Sequence, residues 1–362
     1  MINSNEKIEI NGVWVEPDTW LQNFEKNLSD EALLPVYEFL KNWWNTEEFM
    51  LFNTSGSTGE PKLIRISKNA MRRSATITNE YFGLGIKSCA LVCLPVQFIA
   101  GAMMIVRAIE GGYPLVVVRP SSNPFKHPFL KQVTFCACTP MQVAEAVTAT
   151  DSKERFESIS TVIVGGGEIS NELEQKIQFL RNKVFATYGM TETITHVAVR
   201  AVNGNTRSTS FDVLPGFNVA LDERNCLIIE APHLGDRIFT NDVVKLTSRK
   251  FEWIGRADNI INSGGIKFSP EELEKEIAGL IPQRYVISSV PDAVLGNRLV
   301  LVLEVEQLSN QEKETCIAKV SEILKGPRKI HELRILGDFP VTGTGKIKRK
   351  EILINLAKNQ NT

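Results

Sequence analysis

Leu115-Val116-Val117-Val118, Val133-Thr134-Phe135-Cys136-Ala137-Cys138, Thr161-Val162-Ile163-Val164 and Lys183-Val184-Phe185-Ala186-Thr187 decide the fold class. Each is a short apolar run with little polar alternation, so each reads as a strand buried on both faces. The segments between them, 140–149 and 170–181, have helical character. Apolar strands alternating with helices require a mostly parallel sheet covered on both sides, which is an α/β fold.

Working outward toward the N-terminus, Cys89 to Val106 is apolar except for Gln97. Its length approaches a membrane span. Pro95 and Gly101 interrupt it, and Gln97 lies near its middle. The reading is a buried strand over 89–94, a Pro turn and a buried helix over about 98–110. Toward the C-terminus, residues 211–254 change to short strands and turns, with Glu223-Arg224-Asn225 suited to a hairpin turn. This predicts a small β subdomain. A boundary is read near Asp258. Beyond it, Ser269-Pro270-Glu271-Glu272 offers a Ser cap, Pro at the first helical position and Glu at the third. Ser309-Asn310-Gln311-Glu312 repeats the capping box, and YVISSV and RLVLVLEVE read as strands. The expected domains are 1–257, large and α/β, and 258–362, small and α+β.

The chain is 43% hydrophobic and 23% charged with a net charge of −1. No global basic field favours nucleic acid or an anionic membrane as partner. The first ten residues, MINSNEKIEI, lack a charged-then-apolar signal pattern. Six cysteines occur without a C-x-x-C pair and read as reduced core thiols, so the expectation is a cytoplasmic enzyme. Nothing in the pattern fixes an oligomeric state.

The chemistry concentrates in Thr54-Ser55-Gly56-Ser57-Thr58-Gly59-Glu60-Pro61-Lys62, which follows an apolar run, Phe49 to Phe52. Glycines let backbone N–H groups approach phosphate oxygens, hydroxyls add donors and Lys62 adds charge. It is not a Walker loop, because Pro61 precedes the lysine and Leu63 follows it. An ordinary polar turn is the blander alternative. Glu192, beside Thr191 and Thr193, could hold Mg²⁺ together with phosphate oxygens, or could be a solvated surface carboxylate. Asp242 could accept both hydroxyls of a ribose, or cap a turn after Asn241. Arg256 could meet a nucleotide or form a surface ion pair. Lys346 sits in a Gly-Thr-Gly-Lys loop, and its basic neighbours Lys348, Arg349 and Lys350 read as solvated.

Thr54–Lys62 resembles the phosphate-loop signature of the adenylate-forming enzymes: acyl-CoA synthetases, adenylation domains of peptide synthetases, and luciferases. Other signatures of that family follow in its order. They are Gly165-Gly166-Gly167-Glu168, Tyr188-Gly189-Met190-Thr191-Glu192-Thr193, Phe239-Thr240-Asn241-Asp242, Gly255-Arg256-Ala257-Asp258, Ser263-Gly264-Gly265-Ile266-Lys267 and Pro340 to Arg349. The resemblance implies ATP, Mg²⁺ and a thiol such as CoA as reactants, with a small carboxylic acid as substrate. It implies catalytic roles for Lys346, Thr191 and Glu192, with Glu192 on the metal. Gly165–Gly167 would build part of the adenine and acyl pocket, and Tyr188 and Gly189 of the central signature would contact the cofactor. Asp242 and Arg256 would meet the nucleotide, Gly264 and Gly265 would line the thiol path, and Asp258 would be the hinge of a mobile C-terminal lid. Three departures stand out. Asn241 stands where glycine is usual ahead of Asp242, which leaves the aspartate intact. The region ahead of Thr54 is shorter than in many relatives, and the resemblance therefore implies a reduced N-terminal subdomain as an expectation. Phe98 also stands where a histidine is frequent.

Within the family, the short N-terminal region and Thr187 to Ala198 most resemble the o-succinylbenzoate–CoA ligases. That resemblance makes Thr195 and His196 candidate substrate donors, although His196 reads equally well as a packing or capping histidine. Rival readings are another aryl- or acyl-CoA ligase, a stand-alone enzyme loading a carrier protein, and a nucleotide-binding regulator without catalysis.

Overall fold

The computed structural model describes residues 6–18, 31–53, 63–341 and 347–358. They form two compact units: residues 1–219 with 229–238, and residues 220–228 with 239–362. Residues 239–257 therefore pack with the C-terminal part, whereas the sequence reading placed them in the first domain.

In the first unit, strands β1 (Ile8–Ile10) and β2 (Val13–Val15) form an antiparallel pair. Helix α1 is Leu34–Trp43, followed by β3 (Phe49–Asn53) and β4 (Leu63–Ser67), which pair antiparallel with Asn53 opposite Leu63. The expected phosphate loop connects these two strands, and residues 54–62 lie outside the described residues. Next come α2 (Lys68–Phe82), β5 (Ala90–Val92), α3 (Ile99–Gly111), β6 (Leu115–Val117) and β7 (Phe135–Cys138). After them follow α4 (Pro140–Ala146), α5 (Thr150–Glu157), β8 (Thr161–Val164), α6 (Asn171–Ile177), β9 (Lys183–Gly189), β10 (His196–Ala201) and β11 (Phe211–Val213).

Five of these strands, in the order β6-β5-β7-β8-β9, run parallel. β10 and β11 continue the sheet antiparallel. The parallel strands obey the period of two required of a sheet covered on both faces. Ala90, Val92, Phe135, Ala137 and Ile163 enter one core with Met71 and Ala75 of α2 and Met103 and Ile105 of α3. Leu91, Cys136, Cys138, Val162 and Val164 enter the other core, with Val143, Phe156 and Ile177 of α4, α5 and α6. Each large apolar side chain fully removed from water contributes about 1.5–3 kcal/mol, so the two cores dominate the unit's stability.

The apolar stretch from Cys89 becomes β5 and α3, and among the described residues no helix is long and apolar enough to cross a membrane. The chain leaves β5 for β6 on one side and returns to β7 on the other. In open α/β sheets, ligands bind outside the carboxyl ends of the strands at such a reversal.

Ahead of the second unit's main elements lie β12 (Asn218–Leu221) and β13 (Cys226–Glu230). Asn225 turns the chain between them at φ 59°. β14 (Ile238–Thr247) and β15 (Lys250–Arg256) pair antiparallel, as do β16 (Ile261–Ser263) and β17 (Ile266–Phe268). β18 (Tyr285–Asp292), β19 (Gly296–Glu304) and β20 (Glu332–Leu336) form a mixed three-stranded sheet. Helices α7 (Pro270–Glu276), α8 (Asn310–Ile323) and α9 (Arg349–Lys358) belong to the same unit. Ser269 and Ser309 cap α7 and α8, and the capping box at Ser309–Glu312 is complete.

Arg349 departs from the solvated reading. It pairs with both carboxylate oxygens of Glu274, the Nη1 contact to Oε1 measuring 2.8 Å. Glu274 in turn accepts the Ile287 backbone N–H. Burial raises the Glu274 carboxyl above the ordinary range, and Arg349 offsets only part of that.

Candidate functional site

The glycine run and the tyrosine motif meet at the carboxyl ends of β8 and β9. Val164 pairs with Ala186, so Gly165 lies beside Thr187. A Cβ on Gly165 would stand 2.4 Å from Thr187 Oγ1, so the Thr187 hydroxyl would have to move to admit it. The Gly165 N–H bonds the Cys138 carbonyl at 3.0 Å, and the Thr187 hydroxyl bonds the Val164 carbonyl at 3.1 Å. Gly166 and Gly167 are exposed beyond them. Glycine at 165 therefore makes room for the Thr187 hydroxyl of the neighbouring strand.

Gly189 is constrained in the same way by the returning chain. Its Cβ would meet the Thr195 carbonyl oxygen at 2.4 Å and His196 Cα at 2.6 Å. Between these residues Thr191–Thr193 forms one 3₁₀ turn. Thr193 is fully buried and ties the corner together. Its hydroxyl accepts the Met190 N–H at 2.9 Å and faces the Met190 and Thr195 carbonyls at 2.9 and 2.7 Å. Ile194 then takes φ 69° and ψ −53°, and the Thr195 N–H bonds the Thr193 carbonyl at 2.7 Å. That is a γ-turn with a β-branched residue at its centre, a strained conformation. A register shift between His196 and Ala198 follows at once. Strain and a bulge at the end of a central strand are features that collect at functional sites.

The corner leaves Glu192 exposed and Thr191 half-buried. No hydrogen bond or ion pair engages the Glu192 carboxylate among the described residues. A single free carboxylate fits Mg²⁺, which takes one or two carboxylates with phosphate oxygens completing the shell. Tyr188 is half-buried and packs edge-on to Phe211 at 6.0 Å. Phe98 is 44% exposed just ahead of α3.

Thr195 and His196 are brought together, with a third residue that the sequence reading missed. The Thr195 hydroxyl lies 3.0 Å from His196 Nδ1 and accepts from Arg107 Nη2 at 2.9 Å. His196 is buried, packs against Phe82 at 6.3 Å, and its Nε2 has no hydrogen-bond partner among the described residues. Burial, and then the charge of Arg107, hold its pKa well below the ordinary histidine value. Arg107 is 2% exposed, and no carboxylate lies within ion-pair distance among the described residues. Burial lowers its pKa to about 10. A lone arginine just past an apolar run, Cys89 to Val106, was the available signal.

A second group of expected residues lies in the other unit. Asp242 is buried in β14, so it is a strand residue and not a turn cap. Its Oδ1 accepts from Trp253 Nε1 at 3.2 Å and lies 3.6 Å from Arg256 Nη1. Asn241 accepts from Arg224 at 3.1 Å. Arg256 also donates to both Asp258 oxygens, at 3.2 and 3.3 Å. Burial pushes the Asp258 carboxyl up, but the Arg256 hydrogen bond and charge outweigh it and hold it below its ordinary value. Gly264 and Gly265 form the turn between β16 and β17 at φ 58° and 84°. Two positive values are what a tight two-residue hairpin turn demands. Lys346 lies outside the described residues; Val341 and Ile347 on either side form an antiparallel bridge.

The cysteines behave as core thiols. None of the six forms a disulfide and five are buried. Cys93, Cys136 and Cys138 place their sulfurs within 4.8 Å of one another, inside the apolar core under α4–α6.

The chain resembles known proteins over most of its length. The chain is 33% identical to an acyl-CoA synthetase (AMP-forming)/AMP-acid ligase II-like protein from Dyadobacter fermentans. That comparison covers 90% of this chain and 95% of the other, with a TM-score of 0.62. It shares the fold of the o-succinylbenzoate coenzyme A synthetase of Bacillus subtilis, solved with ATP and magnesium, at TM-score 0.67 and 20% identity over 84% and 69% of the two chains. By sequence it is 23% identical to the 2-succinylbenzoate–CoA ligase of Lactococcus lactis over 84% of this chain and 70% of that protein. It is also 23% identical to a mitochondrial acyl-coenzyme A synthetase of Mus musculus, covering 83% of this chain but only 61% of that protein's length. The family described as AMP-binding enzyme matches residues 9–222, more than half of the chain, and the chain belongs to that family.

Proposed function

We propose that the chain is an ATP-dependent acid–thiol ligase that works through an acyl-adenylate, with o-succinylbenzoate as its acid and CoA as its thiol. The observation that carries this reading is the union of the Gly165–Gly167 run with the strained Tyr188–Thr195 corner at the carboxyl end of a parallel sheet. In the first half-reaction a carboxylate oxygen attacks the α-phosphorus of ATP, forming the mixed anhydride and releasing pyrophosphate. In the second, the thiolate attacks the acyl carbon and AMP leaves. A carboxylate is a poor acylating agent and AMP is a good leaving group, which is why the first step is needed.

The residues divide the work. Thr54–Lys62 is the loop for the polyphosphate. Glu192 would hold Mg²⁺, which supplies charge neutralisation on the phosphates. Asp242 and Arg256 are assigned to the ribose and nucleotide, and Lys346 to orienting the attacking carboxylate and offsetting charge in the transition state. Asp258 is the pivot between the half-reactions. The choice of acid rests on the second carboxylate of o-succinylbenzoate, which cannot be buried without donors. Thr195 and His196 are assigned to that carboxylate, His196 as the donor and Thr195 as the group that holds its ring, and the succinylbenzoate ligases among the relatives support the choice.

The test is AMP formation with CoA across a set of acids. The expected outcome is a kcat/KM for o-succinylbenzoate at least tenfold above benzoate and octanoate, or about 1.4 kcal/mol of discrimination. Equal turnover of benzoate or octanoate would remove the acid assignment and leave the adenylation chemistry standing.

A further inference from the structure

The Thr195 hydroxyl is asked to do three things. It accepts from Arg107 Nη2 at 2.9 Å, it accepts the His196 backbone N–H, and it faces His196 Nδ1 at 3.0 Å. A hydroxyl has two acceptor lone pairs and one proton. Two N–H donors fill the lone pairs, so the single proton points at Nδ1. Nδ1 is then an acceptor, and the ring proton of a neutral imidazole must sit on Nε2. An imidazolium would bring a third donor to an oxygen with no lone pair left, beside a guanidinium.

We propose that Arg107 is a positioning residue: through the Thr195 hydroxyl it fixes the tautomer of His196, so that the ring presents Nε2–H as a hydrogen-bond donor to an oxygen of the acid. Three further observations point the same way. Nε2 is buried with no partner among the described residues, and a buried donor left without an acceptor is costly unless a ligand supplies one. Among the described residues the Arg107 side chain contacts only neutral acceptors, the Thr195 oxygen and Met104 sulfur at 3.5 Å, so none of their carboxylates takes up its charge. The chain of bonds runs on through the Thr195 carbonyl to the Thr193 hydroxyl, which ties the same unit to the Glu192 corner. The assignment of the acceptor to the acid rests on the proposed function; the tautomer does not.

Two measurements test this. Long-range proton–nitrogen NMR on the histidine-labelled 362-residue chain, with the His196 signals identified by their loss in His196→Gln, reads the tautomer without any substrate. The expected result is a neutral ring protonated on Nε2 at pH 7, and Arg107→Met and Thr195→Val each shift it toward a mixture of tautomers. Kinetics then read the consequence. Arg107→Met should raise KM for the acid at least tenfold while KM for ATP changes less than twofold. Adding Thr195→Val should raise KM little further, because both changes break one chain. A wild-type ring protonated on Nδ1 or on both nitrogens overturns the proposal, even where Arg107→Met folds poorly. Equal rises in KM for acid and ATP would overturn it as well. If no acid is turned over by the wild type, the proposed function fails while the tautomer measurement still decides this inference.

Discussion

Gly165→Ala isolates the contact between β8 and β9. The new methyl would stand 2.4 Å from Thr187 Oγ1, against an ordinary limit near 3.4 Å, so about one ångström of overlap must be relieved. The next nearest atom, Thr187 Cβ, is 3.8 Å away and already at ordinary contact. The obstacle is a single hydroxyl. Overpacking of this kind costs about 1–3 kcal/mol. Turning the hydroxyl aside also loses its 3.1 Å bond to the Val164 carbonyl, itself a contribution of about 1 kcal/mol. Thr187→Ala alone should cost about that hydrogen bond. Together the two substitutions should cost little more than Thr187→Ala, because the added methyl then occupies the vacated space. The cycle therefore predicts a favourable coupling of about 1–2 kcal/mol, read as the midpoint of urea unfolding at constant slope. Gly189→Ala offers the contrast. Its obstacles are the Thr195 carbonyl and His196 Cα, both backbone, so trimming the Thr195 side chain should bring no recovery. Strict additivity of Gly165→Ala and Thr187→Ala would refute the claim that this glycine makes room for the Thr187 hydroxyl of the neighbouring strand.

Other outcomes follow from the same geometry. Arg349→Met should destabilise the chain by about 3 kcal/mol by stranding the buried Glu274 carboxylate, and Arg349→Met with Glu274→Leu should recover most of it in thermal unfolding. His196 has a folded pKa well below 6.5, so the unfolded chain binds the extra proton. Stability owed to this group is complete above about pH 6.5 and falls on acidification, by at most about 1.4 kcal/mol per pH unit. His196→Gln should remove that slope, with His233, whose pKa is also lowered, contributing equally to both proteins; an unchanged slope would contradict the burial of a neutral ring. Lys346→Ala should slow adenylate formation about a hundredfold or more and largely spare thioester formation from pre-made acyl-adenylate. Equal damage to both steps would contradict its assignment.

The sheet was legible because each strand carries its own signal. Thr161–Val164 is apolar at every inward position on both faces, and no helix of that length or surface strand would need such a run. Ser309 and Glu312 marked a helix start because a capping box is a local contact spanning three residues. What escaped depends on distant partners. Arg107 meets Thr195 across 88 residues and Arg349 meets Glu274 across 75, so neither contact leaves a local pattern. Arg349 looked solvated because it stands among lysines. The γ-turn at Ile194 exists because β10 folds back against Gly189, and no propensity of isoleucine suggests it. The grouping of the strands around residue 258 also depends on distant partners. Asp242 and Arg256 were read with the motifs before them, whereas the β14–β15 pair that carries them packs with the C-terminal residues. The candidate residues in the phosphate loop and at Lys346 rest on the sequence alone.

The central claim is that this chain makes an acyl-adenylate. Exchange of labelled pyrophosphate into ATP, measured with the 362-residue chain, Mg²⁺ and one acid at a time but no thiol, tests it most directly. The account predicts exchange that depends on a carboxylic acid, is fastest with o-succinylbenzoate, and is lost in Lys346→Ala. Binding of ATP with no acid-dependent exchange across the panel would contradict it and leave a nucleotide-binding protein without this chemistry.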